Sequence, residues 1–272
     1  MNLKDNEFIR LKKWIIENTK GKVLVALSGG VDSAVVALAV KESIGKENTI
    51  AITANYNTLS IEEITDAKKI TKDLDIKHEI VKYNELEDNE FRKNNRQRCY
   101  YCRKELGKYL VEYAKQNSIE SIFDGTNIDD LKEYRPGIKA LKEYGIKSPL
   151  LESRLNKNNI RKIAKNFNLF VHDKPSNSCL ASRVPFGNEI TFEKLRKIEK
   201  SELIVKKIFN LRQVRVRDHE EIARIEIDKN ELSKVFDTKK IENANYELRK
   251  LGFRFVALDF GGYKSGNLIT LK

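Results

Sequence analysis

Two hydrophobic periodicities divide the chain. Val23-Leu-Val-Ala-Leu27 is an unbroken apolar run, which suits a parallel strand covered on both faces. Before it, Phe8, Leu11, Trp14 and Ile15 recur at helical spacing between Leu3 and Asn18, with Trp14 as a packing residue. After it the pattern predicts a helix over Ser33–Ser43, a strand over Thr49–Asn55, a helix over Ile61–Leu74 and a strand over His78–Tyr83. A helix from about Cys102 to Asn117 and a fourth strand at Ser121–Gly125 continue the alternation. Strand–helix repetition of this kind predicts an α/β, doubly wound parallel sheet. Past Cys179 the pattern changes. One long helical stretch over Phe192–Phe209 precedes two alternating segments, Gln213–His219 and Ile222–Asp228. Further helix then leads to Arg254–Phe260 and the turn Gly261-Gly262. This reads as a smaller C-terminal α+β unit. The boundary is placed at Pro185-Phe-Gly187, giving domains 1–185 and 186–272.

Composition narrows the class. The 272 residues are 40% hydrophobic and 34% charged, as in a soluble globular protein. No stretch approaches the roughly 20 apolar residues of a membrane span. The start, Met-Asn-Leu-Lys-Asp, lacks the apolar core of a signal peptide, so a cytoplasmic location is expected. In that reducing compartment a Cys-x-x-Cys is more often metal-binding or redox-active than a disulfide. The net charge of +12 raises the question of nucleic acid. It is spread evenly: residues 180–272 hold 20 basic and 14 acidic side chains, and residues 1–179 hold 32 and 26. A lysine-rich solvated surface accounts for that, and no nucleic-acid partner is expected.

The chemistry starts at Ser28-Gly29-Gly30-Val31-Asp32-Ser33, between a predicted strand and a predicted helix. Glycines let backbone N–H groups approach phosphate oxygens, and a helix N-terminus adds partial positive charge. Ser28 and Ser33 can add hydroxyl donors, and Asp32 can help to hold Mg2+. The Gly-Lys-Ser/Thr ending of a Walker loop is missing, which argues against γ-phosphate transfer. A glycine turn with a serine cap is the plain alternative. Thr53, near the end of the second strand, and Gly125-Thr126-Asn-Ile-Asp-Asp130, after the fourth, join the loop as ATP-binding candidates at the sheet's carboxyl edge. Arg215 and Arg217 lie two apart in a predicted strand and project from one face, opposite Val214 and Val216. Paired guanidinium groups suit a phosphate; solvated arginines paired with Asp218 and Glu220 are the alternative. Arg183 is a weaker candidate for the same anion. Glu226, on the neighbouring strand, can orient Arg215 or touch a substrate.

The hexapeptide resembles the signature of the PP-loop ATP-pyrophosphatase superfamily, whose fold is adenine nucleotide alpha hydrolase-like and whose members join AMP to a substrate oxygen and release pyrophosphate. Further segments follow in order: Gly125–Asp130, Tyr134-Arg-Pro-Gly137, Ser148-Pro-Leu-Leu151, Asp173-Lys-Pro175, Cys179-Leu-Ala-Ser-Arg183, Arg215-Val-Arg217, Ala223-Arg-Ile-Glu226 and Gly261-Gly-Tyr-Lys-Ser-Gly266. Together they are similar to the LarE family, the sulfur transferases of nickel-pincer nucleotide assembly, from Val23 to about Asn267. The resemblance implies adenylation of a carboxylate of pyridinium-3,5-biscarboxylic acid mononucleotide and its conversion to a thiocarboxylate. ATP and Mg2+ would serve the first step, and Arg215, Arg217 and Arg183 would hold the 5′-phosphate. Some members take the sulfur from the cysteine matching Cys179; others hold a 4Fe–4S cluster on three cysteines. With Cys99, Cys102 and Cys179, this chain has the three-cysteine pattern, and one iron would stay open for sulfide. Arg98 and Arg103 flank the pair and would favour thiolates, and Tyr100 and Tyr101 could stack on the pyridinium ring. A sacrificial Cys179 leaves Cys99 and Cys102 without a task. Structural zinc normally takes four protein ligands, and no histidine stands beside the pair. A tRNA thiolation enzyme, an ammonia-using ligase of the same superfamily and a nucleotide sensor are the rival functions. A sulfide or other sulfur donor and a homo-oligomeric state complete the expectations.

Overall fold

A computed structural model describes residues 6–132 and 134–264. In chain order the elements are α1 (Asn6–Glu17), β1 (Val23–Ala26), α2 (Val31–Ile44), β2 (Thr49–Asn55), α3 (Ile61–Leu74), β3 (Lys77–Lys82), α4 (Asn89–Arg92), α5 (Arg98–Gln116), β4 (Ser121–Phe123), α6 (Pro136–Glu143), α7 (Pro149–Glu152) and α8 (Lys157–Asn166). Then follow α9 (Phe192–Phe209), β5 (Val214–His219), β6 (Ile222–Ile227), α10 (Thr238–Lys250) and β7 (Phe255–Leu258). The chain forms two compact units. One joins the residues up to Glu85 with Cys99–Ser176; the other joins Leu86–Arg98 with the residues from Asn177 onward.

The first unit is built on a parallel sheet in the order β3-β2-β1-β4. Val23 and Val25 of β1 pack with α1, α2, α3 and α8 on one face, while Leu24 packs with Leu106 and Leu110 of α5 and Leu141 of α6 on the other. Covering both faces is what makes β1 apolar throughout, and it confirms the doubly wound sheet expected from the sequence. Helix α2 is buried from Ser33 to Val40. Its composition is apolar all round because it lies inside the unit rather than on it. Trp14, partly buried, packs its ring against Phe123 at 5.7 Å beside the core.

In the second unit β5 and β6 form an antiparallel pair, β7 joins β6 in parallel, and α9 and α10 cover one face. Val214, Val216, Ala223, Ile225 and Ile227 supply the core side, so Arg215, Arg217, Arg224 and Glu226 share the other. The division lies between Ser176 and Asn177 rather than at 185, and Leu86–Arg98 crosses over. Asn94, fully buried with φ 51°, is one of the ties that hold those two stretches together. Its Nδ2 donates to the carbonyls of Pro185 at 2.7 Å and Asn188 at 2.9 Å, and its Oδ1 accepts from Arg98 at 2.6 Å.

Candidate active site

Strand order reverses between β1 and β4, which places a crevice at their carboxyl ends. The loop 28–33 leaves β1 there and opens α2. Gly29 has φ +77°, and a Cβ on it would lie 2.3 Å from the Glu63 carbonyl oxygen of α3. Only glycine fits. Gly125, after β4, is equally confined: its Cβ would meet the Ser33 amide nitrogen at 2.9 Å. The two sequence segments are therefore in contact. Ser33 Oγ accepts from the Ser28 amide at 3.1 Å and donates to the Gly30 carbonyl at 3.2 Å, while the two serine hydroxyls lie 3.2 Å apart.

Two lysines that the sequence reading did not single out reach this loop. Lys174 Nζ donates to the Gly29 carbonyl at 2.9 Å and pairs with Asp66. Lys157, at the start of α8, pairs with Asp32 Oδ2. Asp32 Oδ1 is buried with no hydrogen-bond partner. Burial raises the Asp32 pKa, and the Lys157 charge opposes that rise. A carboxylate at a helix N-terminus with one unused oxygen fits a Mg2+ ligand. Lys174 lies inside the Asp173-Lys-Pro175 segment, a usable signal; Lys157, 125 residues from Asp32, had none.

Thr53 and Thr126 serve the walls of this crevice. Thr53 Oγ1 donates to the Leu27 carbonyl at 2.8 Å and lies 2.8 Å from His78 Nε2, tying the end of β2 to β1. Thr126 Oγ1 donates to Asp124 Oδ2 at 2.6 Å, on a buried carboxyl whose pKa burial pushes up. Asp129 Oδ2 accepts from the Lys157 amide at 2.8 Å, so the 125–130 segment also sets the start of α8.

Helix α5 begins at Arg98 rather than Cys102, so Cys99 and Cys102 both lie on its N-terminal turns. Cys99 is exposed and Cys102 half-buried. Spaced by three on a helix, they share a side and suit one metal centre. Gly137 of the Tyr134–Gly137 segment packs here: its Cβ would lie 3.0 Å from the Cys99 carbonyl oxygen and 2.7 Å from Arg103 Cγ. Tyr100 donates to Glu143 of α6 at 2.8 Å and meets Tyr101 edge-on at 5.6 Å. Arg98 is buried and donates to the Ala181 carbonyl at 2.9 Å, which makes it a tie of the second unit. Among the described residues no group of three or more His, Cys, Asp and Glu side chains is arranged to hold a metal. The pair fits two ligands of a cluster.

In the second unit the Cys179 turn is pinned by its backbone. The Cys179 carbonyl accepts from Arg183 at 2.7 Å, from the Ser182 amide at 3.0 Å and from the Ser182 hydroxyl at 2.8 Å. Arg183, 1% exposed, also forms a two-pronged pair with Glu202 at 2.8 and 3.0 Å. Its guanidinium is thus an internal tie of the turn. Arg217 donates to the Ser182 carbonyl at 2.6 Å and to Glu226 at 2.7 Å. Glu226, fully buried, also accepts from Arg224 at 3.0 Å. It orients Arg217 and Arg224, its register partner being Arg215. Burial first, and then the Arg183 charge, depress the Arg215 pKa to about 10. Arg215 also lies 5.3 Å from the Tyr263 ring. Ser265 and Gly266 of the last sequence segment lie outside the described residues.

Comparison with known proteins separates relatives of the N-terminal half from relatives of nearly the whole chain. The NAD synthase family matches residues 5–129, the part that carries the loop. A relative in Synechocystis, described as uncharacterized, is 38% identical and covers 91% of both chains. The pyridinium-3,5-bisthiocarboxylic acid mononucleotide synthase of Lactiplantibacillus plantarum is 31% identical over 91% of this chain and 88% of its own. The chain belongs to the LarE family. By contrast, an ammonia-dependent NAD+ synthetase of Fusobacterium nucleatum, 33% identical, covers 34% of this chain and 37% of its own. Membership of LarE makes the protein an ATP-using enzyme of the ATP-pyrophosphatase type. No helix among the described residues is long and apolar enough to cross a membrane.

Proposed function

We propose that this LarE protein is an ATP-dependent sulfur transferase acting on a carboxylate of pyridinium-3,5-biscarboxylic acid mononucleotide. The observation that carries the reading is the match to the synthase over both units, where the NAD+ synthetase covers only a part. The substrate carboxylate attacks the α-phosphorus of ATP, pyrophosphate leaves, and an acyl-adenylate forms. A sulfur nucleophile then attacks the acyl carbon and expels AMP, giving the thiocarboxylate.

Each residue set has a task in that sequence. The N–H groups of residues 28–33 and the hydroxyls of Ser28 and Ser33 receive phosphate oxygens, and Asp32 would hold Mg2+, whose charge would offset that of the leaving pyrophosphate. Arg215 and Arg217 hold the 5′-phosphate of the mononucleotide. Arg215 and Arg217 project from the same face of β5, and burial first, then the neighbouring Arg183 charge, makes the Arg215 cation costly there, which an anion beside it would relieve. Glu226 keeps Arg217 in place. The cysteines deliver the sulfur, and we favour sulfide carried on a 4Fe–4S cluster held by Cys99, Cys102 and Cys179, because a sacrificial Cys179 leaves the helical pair idle. When bound, such a cluster supplies sulfide on its open iron.

The test is one anaerobic turnover with ATP, Mg2+, sulfide and the mononucleotide, read by mass spectrometry of product and protein. Thiolated product with Cys179 intact is expected. Product with Cys179 converted to dehydroalanine would replace the cluster by the sacrificial thiol. Absence of product from protein of verified cluster content would sink the substrate assignment.

A further inference from the structure

Asp32 divides its two oxygens between a cation and nothing. Oδ2 is held by the Lys157 ammonium, while Oδ1 is buried with no hydrogen-bond partner. Lys157 is placed for this with care. It opens α8 behind the Asn156 cap, and its amide donates to Asp129, whose own segment packs Gly125 against Ser33. The side chains of the pair keep 31% and 24% of their surface, so the contact is reachable from the crevice. A long, rotatable lysine at the opening of an anion-binding loop has two possible partners, the carboxylate and a phosphate.

We propose that Lys157 is a polyphosphate-binding residue of the ATP site whose partner changes with the ligand. It pairs with Asp32, as in the structure, and turns to the phosphate oxygens when ATP enters, the more fully when a divalent cation takes over Asp32. Two cations contending for one carboxylate repel each other, so the metal's arrival itself drives the lysine towards the triphosphate. The ammonium then meets the charge that develops on pyrophosphate as it leaves. This rests on the ATP-site reading and is independent of the sulfur chemistry.

The experiment measures binding without turnover. Mn2+ alone is followed by its paramagnetic resonance spectrum, and ATP in the presence of a chelator by calorimetry. The variants are Lys157→Met, Asp32→Asn and their double. Lys157→Met should bind Mn2+ at least about threefold more tightly and metal-free ATP about tenfold more weakly, a charge-assisted hydrogen bond being worth that much. Asp32→Asn should bind metal-free ATP more tightly than wild type, and the double variant should lose that gain. Circular dichroism establishes that each variant is folded. Lys157→Met with weaker Mn2+ binding and unchanged ATP affinity would make Lys157 a mere prop of Asp32 and overturn the proposal. An Asp32→Asn gain that survives in the double variant would overturn it too. Wild-type protein that binds no ATP would sink the ATP-site reading along with it.

Discussion

One methyl group added at Gly125 would test how the nucleotide loop is held. Its Cβ would meet the backbone of Ser33, which cannot swing aside as a side chain can. Gly125→Ala should therefore displace the first turn of α2 and weaken ATP binding about tenfold or more, roughly 1.4 kcal/mol. Calorimetric titration checks this, and unchanged affinity would mean that the loop tolerates the shift. The same scale shows what could be read beforehand. The residues of 28–33 were legible because a phosphate loop needs glycine at fixed places in a short span. Arg215 and Arg217 were legible by their spacing of two. The partners of those arginines were not. Glu226 joins Arg217 and Arg224 because side chains lean across register pairs, and the alternation of a strand does not encode that lean. Arg183, the weaker candidate for the same anion, has its planar fork engaged by Glu202 and by carbonyls around Cys179, partners that the sequence does not encode.

Among elements, the long helices and strands were legible and their first turns less so. α3 and α9 span the expected Ile61–Leu74 and Phe192–Phe209, each with a strong periodicity and a left-handed residue, Asp75 or Asn210, at its end. α5 starts earlier than its apolar pattern because its opening turns carry Arg98, Cys99 and the tyrosines, whose demands are local. The segment holding α4 was not anticipated as part of the second unit, since its partners lie about ninety residues away, as with Asn94 and Val184. Asn94→Ala removes an amide that donates to the Pro185 and Asn188 carbonyls, lies near that of Val184 and accepts from Arg98, and it leaves a left-handed residue without that stabilising amide. It should cost about 3 kcal/mol or more. Urea unfolding followed by circular dichroism measures this, and a loss under about 1 kcal/mol would show that water replaces the amide.

For the whole molecule, acid is the informative perturbation. Burial first, and then the Lys68 charge, lower the pKa of His78 below its ordinary 6.5. Burial and Arg224 lower that of His219 in the same way. The unfolded chain thus binds protons that the folded one refuses. The associated stability is complete above about 6.5 and is lost as pH falls through the folded values. Melting temperature should drop between pH 7.5 and 5.5, and His78→Gln, which can still bond Thr53, should shrink that drop. An equal drop in the variant would assign the acid sensitivity elsewhere.

The second unit is woven from two separated stretches of chain, and this gives the protein a schedule of manufacture. As the ribosome delivers it, Leu86–Arg98 emerges long before Val184, Pro185 and Asn188, whose carbonyls Asn94 will bind. Until then the amide is wet and the segment has no home, while β1, β2 and β3 already have one another. A truncated transcript ending before Asn177 would release a nucleotide-loop unit trailing an unanswered strap. The stretch from Val184 to Asn188 thus supplies the first acceptors that the Asn94 amide meets as the chain lengthens.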